Sequence, residues 1–306
     1  MSSSSYLVPA QNRIPLPALR RHFARRRAWA RFRREADRGF PDALRRFEAT
    51  HGYRPDFDAP RTHNERVWVR KLHDRNPVFT TLVDKMAARE FLAERIGAAR
   101  AAALLPPLLA RARSAAGLPR RFEEEVYVKA AHLCGANLRL PAGCDLYDKR
   151  AVFTDWLGRV HGHWLHEIAY FDAPARLIAE ARLPIVSDLK LYAYDGTVRW
   201  LMPEDNTGPR PALAFYDRTG TQLPLACLGF DSRDLPLPAG LEEMIDLAER
   251  IAAGFDMMRV DFLVTADRFY LGEVTPYDGS GQAYWANREM DLTFAQYWRQ
   301  PHIGRP

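Results

Sequence analysis

Residues 257–281 read MMRVDFLVTADRFYLGEVTPYDGSG. Two runs rich in β-branched and aromatic residues flank the turn-forming Thr265-Ala266-Asp267, a pattern that reads as paired antiparallel strands. With the turn centred near Asp267, Asp261 faces Glu273 and Arg259 faces Thr275. Side chains alternate along a strand, so these four share one face. Val260, Phe262, Val264, Tyr270 and Val274 take the other, an apolar face fit for a core. Opposed like charges destabilise a hairpin unless something sits between them. A divalent cation meets that need, because Mg²⁺ is commonly held by one or two carboxylates together with substrate phosphates. A solvated acidic pair on an exposed sheet face is the alternative.

A chain of 306 residues, 47% hydrophobic and 27% charged, is long enough for one large domain or two small ones around a packed core. No apolar run approaches the length of a membrane span, and the N-terminus lacks the charged-then-apolar order of a secretory signal. Cys134, Cys144 and Cys227 form no paired framework and no CxxC, which fits a reducing cytoplasm. The net charge of +6 is unevenly placed: twelve arginines fall between Arg13 and Arg46 against Glu35, Asp37 and Asp42. The rest of the chain is roughly neutral to slightly acidic. This basic helix, with Leu19, Phe23, Trp29 and Phe32 as its apolar positions, admits three readings. It is a solvated helix, a surface for anionic lipid or polymer, or a nucleic-acid arm, and no nucleic-acid motif elsewhere supports the last.

Further along, Thr62-His63-Asn64-Glu65 forms a capping-box pattern that opens the helix RVWVRKLHD. A second helix is predicted over Asp84–Ile96, ended by Gly97, and an Ala/Leu-rich stretch follows with a break at Pro106-Pro107. The strand EVYVKAA comes next, then a helix over Val152–Glu167, then RLIAEARL as a short strand. SDLKLYAY and TVRWLMP are joined by Asp195-Gly196, a strong hairpin signal. Leu241–Gly254 is an amphipathic helix leading into the opening hairpin. This mixture of antiparallel strands and flanking helices is α+β.

Three lysines stand out. Lys129 interrupts the apolar strand EVYVKAA, either as a snorkelling edge residue or as a phosphate ligand. Lys190 shares a polar strand face with Asp188, Tyr192 and Tyr194. Lys85 lies at a predicted helix start, where backbone N–H groups favour anions. Together with the Arg/Asp/Glu hairpin they are the parts a nucleoside triphosphate needs: lysines for phosphates, carboxylates for Mg²⁺, and Arg259 for the transferred anionic group. No GxxxxGK[ST], no GxGxxG after a strand, and no HRD…N or DFG sequence is present. The histidines of His161-Gly162-His163-Trp164-Leu165-His166 do not share a helical face and read as solvated or substrate-facing. Gly279-Ser280-Gly281 reads either as a loop approaching a ligand or as a plain turn.

Six segments in order, PRTHNERVWVRKLHDRNP, LVDKMAAREFLAERIG, VYVKAAHLCGAN, LIAEARL, SDLKLYAYDG and the opening hairpin, resemble the TupA-like members of the ATP-grasp superfamily over residues 53–298. The resemblance implies two α+β subdomains clasping ATP. It divides the chain into a basic helical extension (1–52), a helical part (53–120), a nucleotide lid (121–183) and a C-terminal subdomain with the metal hairpin (184–300). By that likeness Lys85, Lys129 and Lys190 look like phosphate contacts. Ile178–Arg182 looks like a hinge strand against adenine, with Glu180 near adenine or ribose. Asp261 and Glu273 look like Mg²⁺ ligands, and Arg259 like the group that steadies an acyl phosphate. Two departures stand out: Thr275 occupies a position where many ATP-grasp ligases have Asn, although the TupA-like pattern commonly has Thr there, and Ala131 one where the family tends to Asn.

The implied activity is a cytoplasmic, ADP-forming carboxylate–amine ligase that modifies a bacterial surface polysaccharide or its precursor with an amino acid or amino sugar. The basic segment would meet an anionic membrane surface or a lipid-linked glycan at the inner face of the membrane, with no nucleic-acid partner. A kinase acting on a sugar or alcohol hydroxyl is the alternative on the same fold, and a non-catalytic binding protein is a third reading.

Overall fold

The computed structural model describes residues 16–300; the Ser2–Ser5 tail, Arg13 and the rest of the first fifteen residues lie outside them. The basic segment forms α1 (Leu16–Ala36) and α2 (Pro41–His51). It packs by few residues: Ala28 and Phe32 enter a cluster with Phe47, Trp68 and Phe171, while Leu19 and Phe23, two of its scattered apolar positions, stay exposed. Arg21 replaces them. Its guanidinium turns inward and donates to the carbonyls of Arg159 and Ala173, and burial lowers its pKa to about 10.

The capping box closes at α3 (His63–His73). Thr62 Oγ1 accepts from the Glu65 N–H at 3.2 Å, and the Glu65 carboxylate accepts from the Thr62 N–H at 3.0 Å. Nearly every side of α3 is buried, including Arg70, which donates to the carbonyls of Met257 at 3.0 Å and Pro276 at 2.8 Å. One buried cation thus ties this helix to the first strand of the later hairpin and to the residue that follows its second, its charge met by Asp256. Next come α4 (Val78–Val83), α5 (Ala87–Ile96) and α6 (Ala98–Leu104). Lys85 therefore lies in the turn before α5 instead of in the first turn of a helix.

Beyond Pro106-Pro107 the chain enters β1 (Leu108–Ala112), a strand its Ala- and Arg-rich sequence did not announce, then β2 (Val126–Ala130) and β3 (Asn137–Leu140). The helix expected over Val152–Glu167 is shorter: α7 (Arg150–Leu157) stops at Gly158, and Gly162 at φ 72° bends the following segment. With β4 (Leu177–Ala181), these strands make an antiparallel sheet in the order β1-β4-β2-β3.

The second sheet is built on β5 (Ser187–Tyr194) and β6 (Thr197–Asp205), with the short strands β7 (Ala212–Leu213), β8 (Tyr216–Asp217) and β9 (Asp231–Ser232) at one side. Helix α8 (Leu241–Ala252) buries Met244, Ile245, Leu247, Ala248 and Ile251, a helical stripe, and packs on β5, β6 and β10. The hairpin strands β10 (Met257–Val264) and β11 (Phe269–Thr275) complete the sheet beside β5, and α9 (Arg288–Ala295) follows. Arg259 pairs with Thr275 and Asp261 with Glu273, in the expected register. A bulge then leaves Gly272 without a partner, and Phe262 meets Leu271. Parity inverts beyond it, so Tyr270 pairs with Leu263 on the polar side and is not a core residue. Phe269 and Leu271 fill the core in its place.

Candidate functional site

A cleft of about 320 Å³ lies between the two sheets, within the range of small-molecule sites. Lys129 and Glu180 reach it from β2 and β4. Asp188 and Lys190 come from β5, Asp261 from β10 and Glu273 from β11. Lys85 enters from the turn before α5. Six of the seven residues singled out in the sequence therefore line one cavity; Arg259 stands behind it, joined to Asp261. Leu82, Leu92, Leu105 and Leu271 give the cleft an apolar side.

The lysines are engaged with partners the sequence did not suggest. Lys129 Nζ donates to Glu180 at 2.6 Å, and Arg89 holds the other carboxylate oxygen at 2.9 Å. Lys190 pairs with Glu204. Burial works to raise the Glu204 carboxyl, but Lys190 outweighs it and holds the group below the usual range. Lys85 Nζ donates to the Leu133 carbonyl at 2.8 Å, fastening the loop between β2 and β3. Of Ile178–Arg182, Glu180 alone lines the cleft. Ile178 is buried against Met86 and Ala131. Asp188 Oδ1 is buried without a hydrogen-bond partner, and burial raises its carboxyl.

Behind the cleft floor, Arg259 links three groups. Its Nε and one Nη donate to the two oxygens of Asp261 at 2.7 and 2.8 Å, and the other Nη donates to Asp278 at 2.6 Å. Thr275 Oγ1 accepts a fourth bond at 3.3 Å, which gives that residue a place on the polar face. Asp278 is also bonded to His63 Nε2 at 2.9 Å and accepts from the Tyr192 hydroxyl at 3.3 Å. Burial acts to raise Asp278, but His63 and Arg259 hold it well below the ordinary carboxylate range. Burial likewise opposes the Arg259 charge, and Asp261 and Asp278 reverse that effect and push its pKa up.

Asp261 and Glu273 are cross-strand neighbours presenting hard oxygen donors to one cavity. Glu273 is exposed and makes no hydrogen bond or ion pair among the described residues. No cluster of three or more His, Cys, Asp or Glu side chains suited to a metal occurs among those residues. The two carboxylates fit a Mg²⁺ whose remaining ligands are phosphate oxygens and water, the usual way proteins hold this ion.

Asp278, His63, Arg89 and Glu204 escaped the sequence reading. Asp278 directly precedes Gly279-Ser280-Gly281 and carries no sequence signal of its own, whereas His63 reads as part of a helix cap. Glu204 lies one residue beyond the strand as read, at Pro203. The Asp278 turn is held against α3: Trp68 Nε1 donates to the Gly281 carbonyl at 3.0 Å, and Lys71 Nζ to that of Ser280 at 2.6 Å. Gly281 has φ +66°, and a Cβ there would stand 2.7 Å from Trp68 Cδ1. Gly281→Ala is expected to lower stability by roughly 2–3 kcal/mol, from left-handed strain plus overpacking; a urea midpoint equal to that of the parent protein would contradict this close packing.

The histidine cluster is divided. His161 and His163 line a separate arginine-rich groove. His166 is not solvated: it is buried against Phe32, Phe40 and Trp68, where burial lowers its pKa to about 4.

Residues 154–299 match a family model described as TupA-like ATPgrasp, the family to which the sequence resemblance pointed. The match takes in Glu180, Lys190, Arg259, Asp261 and Glu273 and leaves Lys85 and Lys129 outside. No curated protein matches the chain. Similar solved structures include D-alanine–D-alanine ligase from Bacillus anthracis, 13% identical with a TM-score of 0.41, covering 64% of this chain and 57% of that one. The ATP-grasp ligase PsnB, complexed with a phosphomimetic variant of its minimal precursor, Mg and ADP, is 16% identical with a TM-score of 0.39 and covers 72% and 60%. An L-amino acid ligase from Bacillus licheniformis is 15% identical with a TM-score of 0.41 and covers 66% and 43%. The chain thus spans less than two thirds of the length of each.

Proposed function

We propose, from the match of residues 154–299 to the TupA-like ATP-grasp family model and from an α+β fold with a cleft between two sheets, that the chain is an ATP-dependent carboxylate–amine ligase. The observation that carries this reading is the convergence of Lys85, Lys129, Lys190, Asp261 and Glu273 on one cleft between two sheets. A substrate carboxylate attacks the γ-phosphorus of ATP, ADP leaves, and an acyl phosphate remains. An amine nitrogen then attacks the acyl carbon, phosphate leaves, and the nitrogen loses a proton to give the amide.

Lys85, Lys129 and Lys190 bind the phosphates, for which Lys129 exchanges its bond to Glu180 and Lys190 its bond to Glu204. Arg89 remains to hold Glu180, which faces the base or ribose. Asp261 and Glu273 would hold a Mg²⁺, which would supply charge neutralisation at the phosphates. To steady negative charge on the acyl phosphate and the tetrahedral species derived from it, Arg259 exchanges part of its bonding to Asp261 and Asp278 behind the cleft floor, as the lysines exchange theirs. The substrate is a carboxylate of a bacterial surface polysaccharide or its precursor, joined to an amino acid or amino sugar. The protein works in the cytoplasm at the inner membrane face. Among the described residues no helix is long and apolar enough to cross a membrane.

The test is an ADP-release screen over uronic acids and amino acids with Mg²⁺, with mass spectrometry of the products. The ligase reading requires release that depends on both a carboxylate and an amine; release with a hydroxyl compound alone would identify a kinase, and none under any mixture a binding protein. Lys129→Ala should lower turnover by about 10²-fold or more through loss of a charge on the phosphates. Undiminished turnover in that variant would refute the nucleotide assignment.

A further inference from the structure

A second cavity, of about 910 Å³, runs along α1 and has no role in the reaction just described. Arg20, Arg27, Arg31 and Arg34 line one side of it, with Ala24 and Ala28 between them as a low floor, and Arg159 faces it from beyond α7. The spacing of three, four and seven places these side chains along one helical face. From Arg20 to Arg34 the stripe extends roughly 21 Å at the helical rise. Among the described residues no acidic side chain lines the cavity.

Part of this charge is already answered. Arg20 and Arg159 share Asp155, and Arg31 pairs with Asp42 at 2.8 Å. Arg27 and Arg34 are exposed and make no ion pair among the described residues. Trp164, 42% exposed, stands in the same cavity with the rings of His161 and His163 edge-on to it at 5.9 and 4.6 Å. At one end the lining includes Cys134 and Gly135, which also line the nucleotide cleft. The groove and the cleft are therefore two sides of the loop that Lys85 fastens.

We propose that this groove binds the acidic glycan chain of the ligase acceptor, holding repeated carboxylates on the α1 arginines while the chain end reaches the nucleotide cleft. The proposal rests on the ligase reading for the identity of its ligand. A concave groove suits a chain better than a flat bilayer, which could not bring headgroups to its floor. The exposed indole favours a glycan over an acidic peptide, because a pyranose ring presents an apolar C–H face that packs on an aromatic plane, and a run of Glu side chains does not.

The experiment uses the full chain without nucleotide, so it is independent of catalysis. Binding of a fluorescently labelled oligogalacturonate, longer than the arginine stripe, is followed by anisotropy. Galacturonate monomer, a neutral dextran oligomer, oligoglutamate and oligothymidylate are the comparison ligands. The oligogalacturonate should bind more tightly than all four, and increasingly weakly as salt rises. Arg27→Gln with Arg34→Gln should weaken it about tenfold, two exposed ion pairs' worth. Trp164→Ala should weaken oligogalacturonate severalfold and leave oligoglutamate unchanged. The proposal is overturned by oligogalacturonate binding no tighter than dextran, by unchanged affinity in the double arginine variant, or by oligoglutamate or oligothymidylate binding equally well. Glycan binding without ADP release under any mixture would instead sink the ligase reading and leave the groove in place.

Discussion

Arg259→Met is expected to unfold the protein more easily by about 3–5 kcal/mol, the cost of stranding a buried partner's charge. Asp261 and Asp278 are almost fully buried and both lean on this guanidinium. Losing it leaves two carboxylates in the low-dielectric floor, with His63 and Tyr192 still bonded to Asp278 and Lys190 across from Asp261 on β5. ADP release should fall as well, by about 10²–10³-fold, if Arg259 also steadies charge developing on the acyl phosphate. The stability effect is isolated in a combined variant. Arg259→Met with Asp261→Asn and Asp278→Asn removes the stranded charges, so the urea midpoint should recover much of its loss while turnover stays down. Arg259→Lys should be intermediate in stability, since one ammonium cannot bond both Asp261 oxygens and also reach Asp278. A midpoint for Arg259→Met within error of the parent would show that the three-residue network is not structural.

The polar face of the hairpin was legible because strand periodicity and a short turn fix which residues oppose one another, and those are local facts. The bulge at Gly272 was not, since nothing in FYLGEVT distinguishes a paired glycine from an extra one; the error fell on Tyr270, beyond the bulge. The helix α3 was legible from its cap. Its work was not, because His63, Arg70 and Lys71 act through contacts with residues about two hundred positions later. The lysines were recognisable as cations on strands, but their acidic partners Glu180 and Glu204 meet them only through sheet pairing. Sequence patterning thus locates the cleft residues by face and misses what holds them, because pairing across elements carries no sequence period. The same limit explains the basic helix. Composition showed its charge, while the division into buried Arg21, salt-bridged Arg31, and Arg27 and Arg34 with no ion pair among the described residues follows from how α1 seats on the body.

Glu273 offers the cleanest separation of chemistry from stability, because it is exposed, faces the cleft and bonds to nothing among the described residues. Its nearest charged cross-strand neighbour is Asp261, of like sign, and such a pair opposes the hairpin. Glu273→Gln should therefore leave the urea midpoint unchanged or raise it slightly, by about 0.5 kcal/mol at most. If the carboxylate is a Mg²⁺ ligand, the same variant should lose about 10²-fold in ADP release, the scale on which electrostatic contacts to transferring groups act. It should also need more Mg²⁺ for half-maximal turnover, a readout that a general defect of the active site would not move. Asp261→Asn cannot make this distinction, since it breaks the Arg259 pair and lowers stability together with activity. Parental turnover and Mg²⁺ dependence in Glu273→Gln would remove this hairpin from the metal site and leave its acidic pair as a feature of the sheet alone.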